Sequence, residues 1–191
     1  MGLRDVLTGR HQLSKPAPDR LFALSTAYVT LEAEHSIKSS GVSGIVFQPL
    51  ATTDFESIVK DMEQVVEATA ADSATKVATH DDAYGFRWME LRTPGLEDLV
   101  VGVNAVSSAL ETGGYGERIL CAVFAFADEH GAPLYFIYNY KRGFWYPFVP
   151  DPANAQARLT ERELQIKAQM ASEIPMEPEL ERWFPLWGIP I

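Results

Sequence analysis

Residues 118–148 read RILCAVFAFADEHGAPLYFIYNYKRGFWYPF, and this stretch decides the fold prediction. Turn residues at 128–131 and 141–143 divide it into three apolar and aromatic runs of the kind that form strands. Loops this short join antiparallel neighbours, so the stretch predicts two consecutive hairpins. Pro147 places the last strand at a sheet edge or makes it short. The three predicted strands cover residues 118–126, 134–140 and 144–148.

The second half of this stretch is unusually aromatic, with eight aromatic side chains among the 16 residues 135–150. A sheet with aromatic residues on both faces must cover both faces or display one of them to a partner. Two interpretations therefore stay open. Either a helix at 96–110 and the C-terminal segment cover the two faces, or one face binds a protein. The partner-binding candidates are Lys141, Arg142, Phe144, Trp145, Trp183 and Trp187.

Helical periodicity occurs twice upstream of the hairpins. An apolar stripe at helical spacing follows the pattern Thr53-x-x-Glu56, which predicts a capping box and a helix over 54–68. A second stripe follows Thr93-Pro94 and ends at a glycine pair, which predicts a helix over 95–112 with Thr93 as its cap. Both helices are expected to pack on the sheet.

The remaining elements are predicted from weaker patterns. Alternation of apolar and polar residues around Val29, Leu31 and Ala33 predicts a half-buried strand. Further strands are predicted at 44–48 and 84–91. After Pro150, a polar stretch with the spacing Thr160-x-x-Glu163 predicts a helix over about 155–172.

Helices between antiparallel hairpins, without repeated strand–helix alternation, indicate an α+β fold. The basic and proline-interrupted start predicts an N-terminal arm over 1–15, and residues 16–191 are expected to form one domain. That domain would end in a helix and an apolar strap. The strap carries five large apolar residues within 183–189, and docking on the chain's own sheet is favoured over docking on a second copy or a partner.

Three motifs are candidates for a phosphate-binding, metal-binding or catalytic site, and none of them has the sequence context that such a site needs. Glycines at 113–116 follow a helix and precede a strand, the reverse of a phosphate-binding loop. His80-Asp81-Asp82 lacks metal-ligand spacing and reads as a solvated turn. Cys121 lies in an apolar strand, as a buried core residue would. We therefore expect no catalytic residue, no cofactor and no metal.

The net charge and the distribution of apolar residues indicate whether nucleic acid or a membrane is expected as a partner. The chain has 191 residues and a net charge of −10, which argues against nucleic acid because no basic surface would displace phosphate counterions. No secretory signal and no run of about 18 apolar residues is found, so a cytoplasmic protein is expected. The arm would allow at most a peripheral membrane contact, at the inner face of the membrane.

Three segments together resemble the PspA-associated protein family PspAB: MGLRDVLTGR at 1–10, LFAL at 21–24, and the aromatic block 135–150. The resemblance implies an accessory protein of the phage-shock, envelope-stress system, with a PspA-like protein or a membrane-embedded protease of the HtpX kind as partner. It implies no catalytic residues. The order of hairpins and helices also looks like the type III secretion chaperone-like α+β sandwich, which commonly dimerises, so a homodimer is a further expectation.

Two functional hypotheses result. The first is a non-catalytic adaptor of a membrane-stress response that acts through protein–protein interaction. The alternative is a small-ligand-binding protein, or an enzyme of unrecognised type, with a pocket between the helices and the aromatic sheet.

Overall fold

The structure is a computed structural model that describes residues 18–69 and 75–191. Two short 3-10 turns, Gly116–Arg118 and Leu180–Arg182, accompany the regular elements. In chain order, the α-helices and β-strands are α1 (Pro18–His35), β1 (Lys38–Phe47), α2 (Thr53–Thr69), β2 (Lys76–Asp81), β3 (Arg87–Arg92), α3 (Leu96–Thr112), β4 (Ile119–Ala127), β5 (Pro133–Asn139), β6 (Phe144–Phe148), β7 (Pro150–Asp151), β8 (Asn154–Arg158) and α4 (Thr160–Met170).

A six-stranded antiparallel sheet in the order β2-β3-β1-β4-β5-β6 forms the centre of the fold. The predicted hairpins are confirmed, because β4, β5 and β6 are consecutive neighbours whose ends agree with the prediction to within one residue. The two turns use Gly131 and Gly143, which have φ angles of +78° and +68°. Such angles suit glycine because it has no Cβ. The α+β class is therefore confirmed.

The strand predicted around Val29 is wrong, because residues 18–35 form helix α1. The buried residues of α1 are Leu21, Leu24, Ala27 and Leu31, which recur at helical spacing, whereas Val29 is 71% exposed. The apolar alternation at Val29, Leu31 and Ala33 covers only five residues, whereas the helical spacing of the buried residues extends from Leu21 to Leu31 and decides the structure.

Two further boundaries differ from the prediction. Strand β2 includes His80 and Asp81, where a solvated turn was expected. It is a short polar strand at the sheet edge, so its sequence lacks the apolar alternation that would reveal it. The helix predicted over 155–172 is shorter in the structure, where α4 covers only Thr160–Met170. Residues 154–158 form β8 instead and pair with β7.

All three predicted helix caps are wrong. At α2, the Phe55 N–H bonds to Thr52 Oγ1 at 3.4 Å, and the Glu56 carboxylate instead binds Arg87. The residue before α3 is Gly95, and the buried Thr93 hydroxyl has no partner among the described residues. No side chain caps α4, and the Glu163 carboxylate accepts a hydrogen bond from Arg158 instead. Glu56 pairs with Arg87, which is 31 residues away, and Glu163 pairs with Arg158, which is five residues away on β8, so both carboxylates are bonded outside the predicted caps.

One face of the sheet, the helix face, is covered by α1, α2 and α3, with α3 in contact with both other helices. The predicted α3 stripe is confirmed, since all six of its residues are at most 4% exposed. They join a cluster that includes Phe124, Phe136, Tyr138 and Trp145 from the sheet. The stripe consists of Leu96, Leu99, Val100, Val103, Val106 and Leu110.

The opposite face is covered by the chain's own last residues, so the favoured docking of the strap is confirmed. We call this the strap face. Its buried sheet residues are Val46, Trp88, Cys121, Val123, Ile137, Tyr146 and Phe148, and Trp183 from the strap packs among them. The strap, residues 175–191, first runs beside β6 as its anchor (175–183) and then crosses the face as its tip (184–191).

The predicted arm over 1–15 lies outside the described residues, and the division into an arm and one domain stays a prediction. Within residues 18–69 and 75–191, no helix has both the length and the apolar composition needed to cross a membrane.

Candidate interaction site

The six partner-binding candidates fall into two groups. Lys141, Arg142, Phe144 and Trp145 lie on the β5–β6 turn and the start of β6, whereas Trp183 and Trp187 lie on the strap. Trp145 is fully buried and Trp183 is 5% exposed. Neither indole therefore offers a surface to a partner in this structure. Lys141 is exposed, and the other three are half-buried.

The ring of Phe144 lies between two guanidinium groups. The Cζ atoms of Arg20 and Arg142 are 5.0 and 5.9 Å from its centroid, within the range of a cation–π contact. Arg20 also donates from Nη1 to the Gly143 carbonyl at 3.2 Å, and its own carbonyl accepts from Trp145 Nε1 at 2.7 Å. Arg20 was missed from the sequence because it comes from α1, far away in the chain.

Arg142 links this cluster to the strap anchor. Its Nε and Nη2 atoms donate to the two oxygens of Glu177 at 2.8 and 2.9 Å, a bidentate pair. The Glu177 side chain is 1% exposed, so the bidentate pair with Arg142 offsets the cost of burying this carboxylate. The hydrogen bond to Glu177 raises the pKa of Arg142. Glu179 accepts from both Arg142 and Arg182, and the Arg182 bond is the main reason its pKa is lowered.

A second buried ion pair holds the anchor from α4. Arg158 Nε donates to both oxygens of Glu163 at 2.9 and 2.8 Å, and the Val149 N–H donates to the same carboxylate. Glu163 is fully buried. Arg158 also donates to the Trp183 carbonyl at 2.6 Å and covers the Phe148 ring at 5.2 Å. One arginine thus joins β8, α4, β6 and the strap.

Trp183 is the end of the anchor. Its ring stacks on Tyr146 with centroids 6.1 Å apart, and its Nε1 donates to the Glu177 carbonyl at 3.2 Å. Lys167 Nζ lies 5.4 Å from the centroid of the same ring. The side chains next to it are accessible: Leu180 is 47% exposed and Phe184 is 57% exposed. Leu180 belongs to the anchor and Phe184 to the tip, so the anchor combines a hydrogen-bonded backbone with one exposed large apolar side chain, Leu180.

The tip is held mainly by side chains. The Tyr146 hydroxyl donates to the Phe184 carbonyl at 3.0 Å, and the Tyr135 hydroxyl donates to the Ile191 carbonyl at 3.3 Å. Trp187 meets the Phe148 ring edge-on at 5.5 Å. Burial raises the pKa of both tyrosines, so the hydroxyls stay protonated and able to donate.

The His80-Asp81-Asp82 motif is structural. Asp81 pairs with Arg87 at 2.7 Å, and the hydrogen bond from Arg87 lowers its pKa. Burial opposes ionisation of Asp82, but hydrogen bonds from Trp88 Nε1 and from backbone N–H groups outweigh it and lower its pKa. Within the described ranges, no group of three His, Cys, Asp or Glu side chains is placed to hold a metal ion. Burial raises the pKa of the Cys121 thiol to about 12.

Two buried hydroxyls lie between the helices and the aromatic sheet. Ser25 Oγ on α1 and Tyr138 Oη on β5 have no hydrogen-bond partner among the described residues. Burial raises the pKa of Tyr138 to about 12. Most buried polar groups find a partner, so these hydroxyls are exceptions, as is that of Tyr140, whose ring centroid lies 5.1 Å from that of Tyr138.

Comparison with known proteins places the chain in a family. No curated protein and no solved structure matches it. The likeness to the type III secretion chaperone-like sandwich is accordingly not confirmed. The family model for PspA associated protein B, PspAB, matches residues 1–191, and the protein therefore belongs to the PspAB family.

Proposed function

We propose that this protein is a non-catalytic adaptor of an envelope-stress response that acts by binding a protein of the PspA system. The family match over residues 1–191 carries the proposal, since the family is described as associated with PspA. A membrane protease of the same system as second partner, a homodimer, and a cytoplasmic location with peripheral membrane contact are further parts of this proposal.

The accessible part of the site has the composition of a protein-binding surface. Leu180 presents a large apolar side chain, and Lys141 and the partly exposed Phe144 and Arg142 supply charge and an aromatic ring close to the anchor. Interfaces are enriched in aromatic residues and arginine, and apolar side chains among polar ones favour association. Two buried ion pairs hold the backbone beneath them, which lowers the entropic cost of binding.

The test is direct binding of the purified full-length protein to PspA by titration calorimetry. The double variant Lys141→Glu, Leu180→Ser changes two exposed side chains and is expected to weaken binding by about tenfold or more, as loss of a central contact does. Tyr84→Ser is the matched control, since Tyr84 is 69% exposed on the β2–β3 turn at the other sheet edge. Absence of binding by the unchanged protein would contradict the proposal.

A small-ligand site is the second candidate function, and the unpartnered hydroxyls of Ser25 and Tyr138 favour it. Ser25 is on α1 and Tyr138 is on β5, and the alternative hypothesis expects a pocket between these two layers. A ligand or ordered water bonded there would make the Tyr138 hydroxyl stabilising, and the substitution Tyr138→Phe measures this.

A further inference from the structure

We propose that the strap tip, residues 184–191, is a displaceable cover of a peptide-docking face, and that an extended apolar segment of a partner protein takes its place. This inference rests on the proposed adaptor function and deepens it. It makes the strap face the surface that receives the partner, and it makes the chain's own tip the competitor for that surface.

The anchor and the tip are held in different ways. The anchor extends the sheet at β6, because the Trp145 N–H donates to the Pro175 carbonyl at 2.9 Å and the Glu177 N–H donates to the Trp145 carbonyl at 2.7 Å. The two buried ion pairs add to this hold. In the described structure, no backbone–backbone hydrogen bond joins the tip to the sheet. The tip can therefore leave while the anchor stays.

The sequence of the tip explains this difference. Pro185 and Pro190 have no N–H, so this segment cannot continue a strand ladder. Its contacts with the face are two tyrosine hydroxyls and apolar side chains. Phe184 points to solvent with 57% exposure, and Leu186, Trp187, Ile189 and Ile191 are only partly buried.

The face also defines the chemistry of a replacement. Tyr135 and Tyr146 offer hydroxyl donors to two backbone carbonyls of an extended segment, and Phe148 offers a ring edge. The lack of a side chain at Gly44 lets the Trp88 ring and the Ile191 side chain lie close to the sheet, since a Cβ there would be 3.0 Å from the ring and 3.5 Å from Ile191. An aromatic residue followed by a branched aliphatic residue, as in the tip, fits these features.

The replacement must be apolar. Val123 and Ile137 are fully buried, and Phe148 is 1% exposed, so removal of the tip would expose a continuous apolar surface to water. A charged segment would leave that surface poorly covered and would bury unpaired charge. An extended apolar segment that reproduces the tip's own contacts avoids both costs.

Cys121, the single cysteine, reports on this face in the full-length protein, since it is 8% exposed and belongs to the strap-face cluster. A thiol reagent modifies a buried cysteine through transient opening, so the rate follows the opening equilibrium. We expect Trp187→Ala to raise this rate by about tenfold or more, because it weakens the hold of the tip on the strap-face cluster to which Cys121 belongs. Phe184→Ala, in the same segment but with an exposed side chain, is the matched control and is expected to change the rate by less than about twofold.

A synthetic peptide with the sequence of residues 184–191, FPLWGIPI, then tests displacement. Added to the Trp187→Ala protein, it is expected to slow the modification of Cys121 in a saturable manner. The same peptide with its tryptophan replaced by alanine should have no effect. An unchanged rate in the Trp187→Ala protein, or a lack of protection by the peptide, would overturn the inference.

Circular dichroism establishes that the variant is folded, and Ile189→Ala replaces it in both measurements if it is not. Neither measurement uses PspA. A failure here would therefore leave the proposed adaptor function standing, and a failure to bind PspA would leave these two results unchanged.

Discussion

The two faces of the central sheet are both apolar, but they are covered by different kinds of structure. Three helices cover the helix face, and each helix satisfies its own backbone hydrogen bonds while it buries an apolar stripe. The irregular strap tip covers the other face with apolar side chains and accepts hydrogen bonds from two tyrosine hydroxyls of the sheet. We therefore expect the strap tip to open more readily than the helix cover, because no backbone–backbone hydrogen bond holds the tip in the described structure, whereas each helix satisfies its own.

The largest expected loss of unfolding free energy comes from a substitution on the helix face. Leu99→Ala removes a fully buried side chain from the α3 stripe, and the cavity should lower the free energy of unfolding by about 3–4 kcal/mol. Denaturant titration measures this loss. The exposed Val101→Ala in the same helix is the control, since Val101 is 42% exposed. A loss below about 0.5 kcal/mol for Leu99→Ala would show that α3 does not pack tightly on the sheet.

The second effect concerns the anchor of the strap. Arg158→Met leaves the fully buried Glu163 without its charge partner and should cost about 2–3 kcal/mol of unfolding free energy. Since Arg158 also holds the Trp183 carbonyl, Cys121 should become more reactive in this variant. Arg182→Met removes an exposed arginine of the anchor and serves as the control. An equally stable Arg158→Met protein would contradict the role given to this pair.

A smaller change, a gain in the free energy of unfolding, is expected at Tyr138. Tyr138→Phe removes a buried hydroxyl that has no partner among the described residues, and should raise the free energy of unfolding by about 1 kcal/mol. Thermal and denaturant unfolding both measure this gain. A loss of stability instead would indicate that the hydroxyl binds water or a ligand, and would strengthen the second candidate function.

The smallest effect depends on pH. Folding lowers the pKa of Asp82 below 3.8, so its stabilisation is complete above that pH and is lost as the pH falls through the folded-state pKa. Asp82→Asn should therefore lower stability near neutral pH by less than about 1 kcal/mol, and this difference should shrink in acid. Because Asp82 accepts from Trp88 Nε1, the strap face is the part affected. A difference that grows on acidification would contradict this sign.

The sequence predicts the parts of the fold that depend on local patterns. The β4–β5–β6 hairpins follow from aromatic runs with short glycine-containing loops, and the α3 stripe follows from its periodicity. Docking of the strap follows from its five large apolar residues, because leaving them all in water would form a large exposed apolar patch. These features are encoded within short stretches of chain, so they can be read without knowledge of distant contacts.

The features that were missed depend on contacts distant in the chain. Glu56 fits a capping box by spacing, but Arg87 takes its carboxylate. Edge strand β2 owes its conformation to pairing with β3 and not to its own polar sequence. The candidate site was predicted only in part for the same reason. Its aromatic residues stand out in the sequence, whereas Arg20 and Glu177 become recognisable only when the fold brings them to Phe144 and Arg142.

The most direct test of the contrast between the two covers is the modification rate of Cys121 in the unchanged full-length protein at increasing denaturant concentration. Local opening exposes little surface and depends weakly on denaturant, whereas global unfolding exposes much more and depends strongly on it. We predict that Cys121 reacts at low denaturant through an opening that is nearly independent of denaturant and costs less than global unfolding. A rate that follows the global unfolding free energy throughout would show that the strap face opens only when the whole protein unfolds.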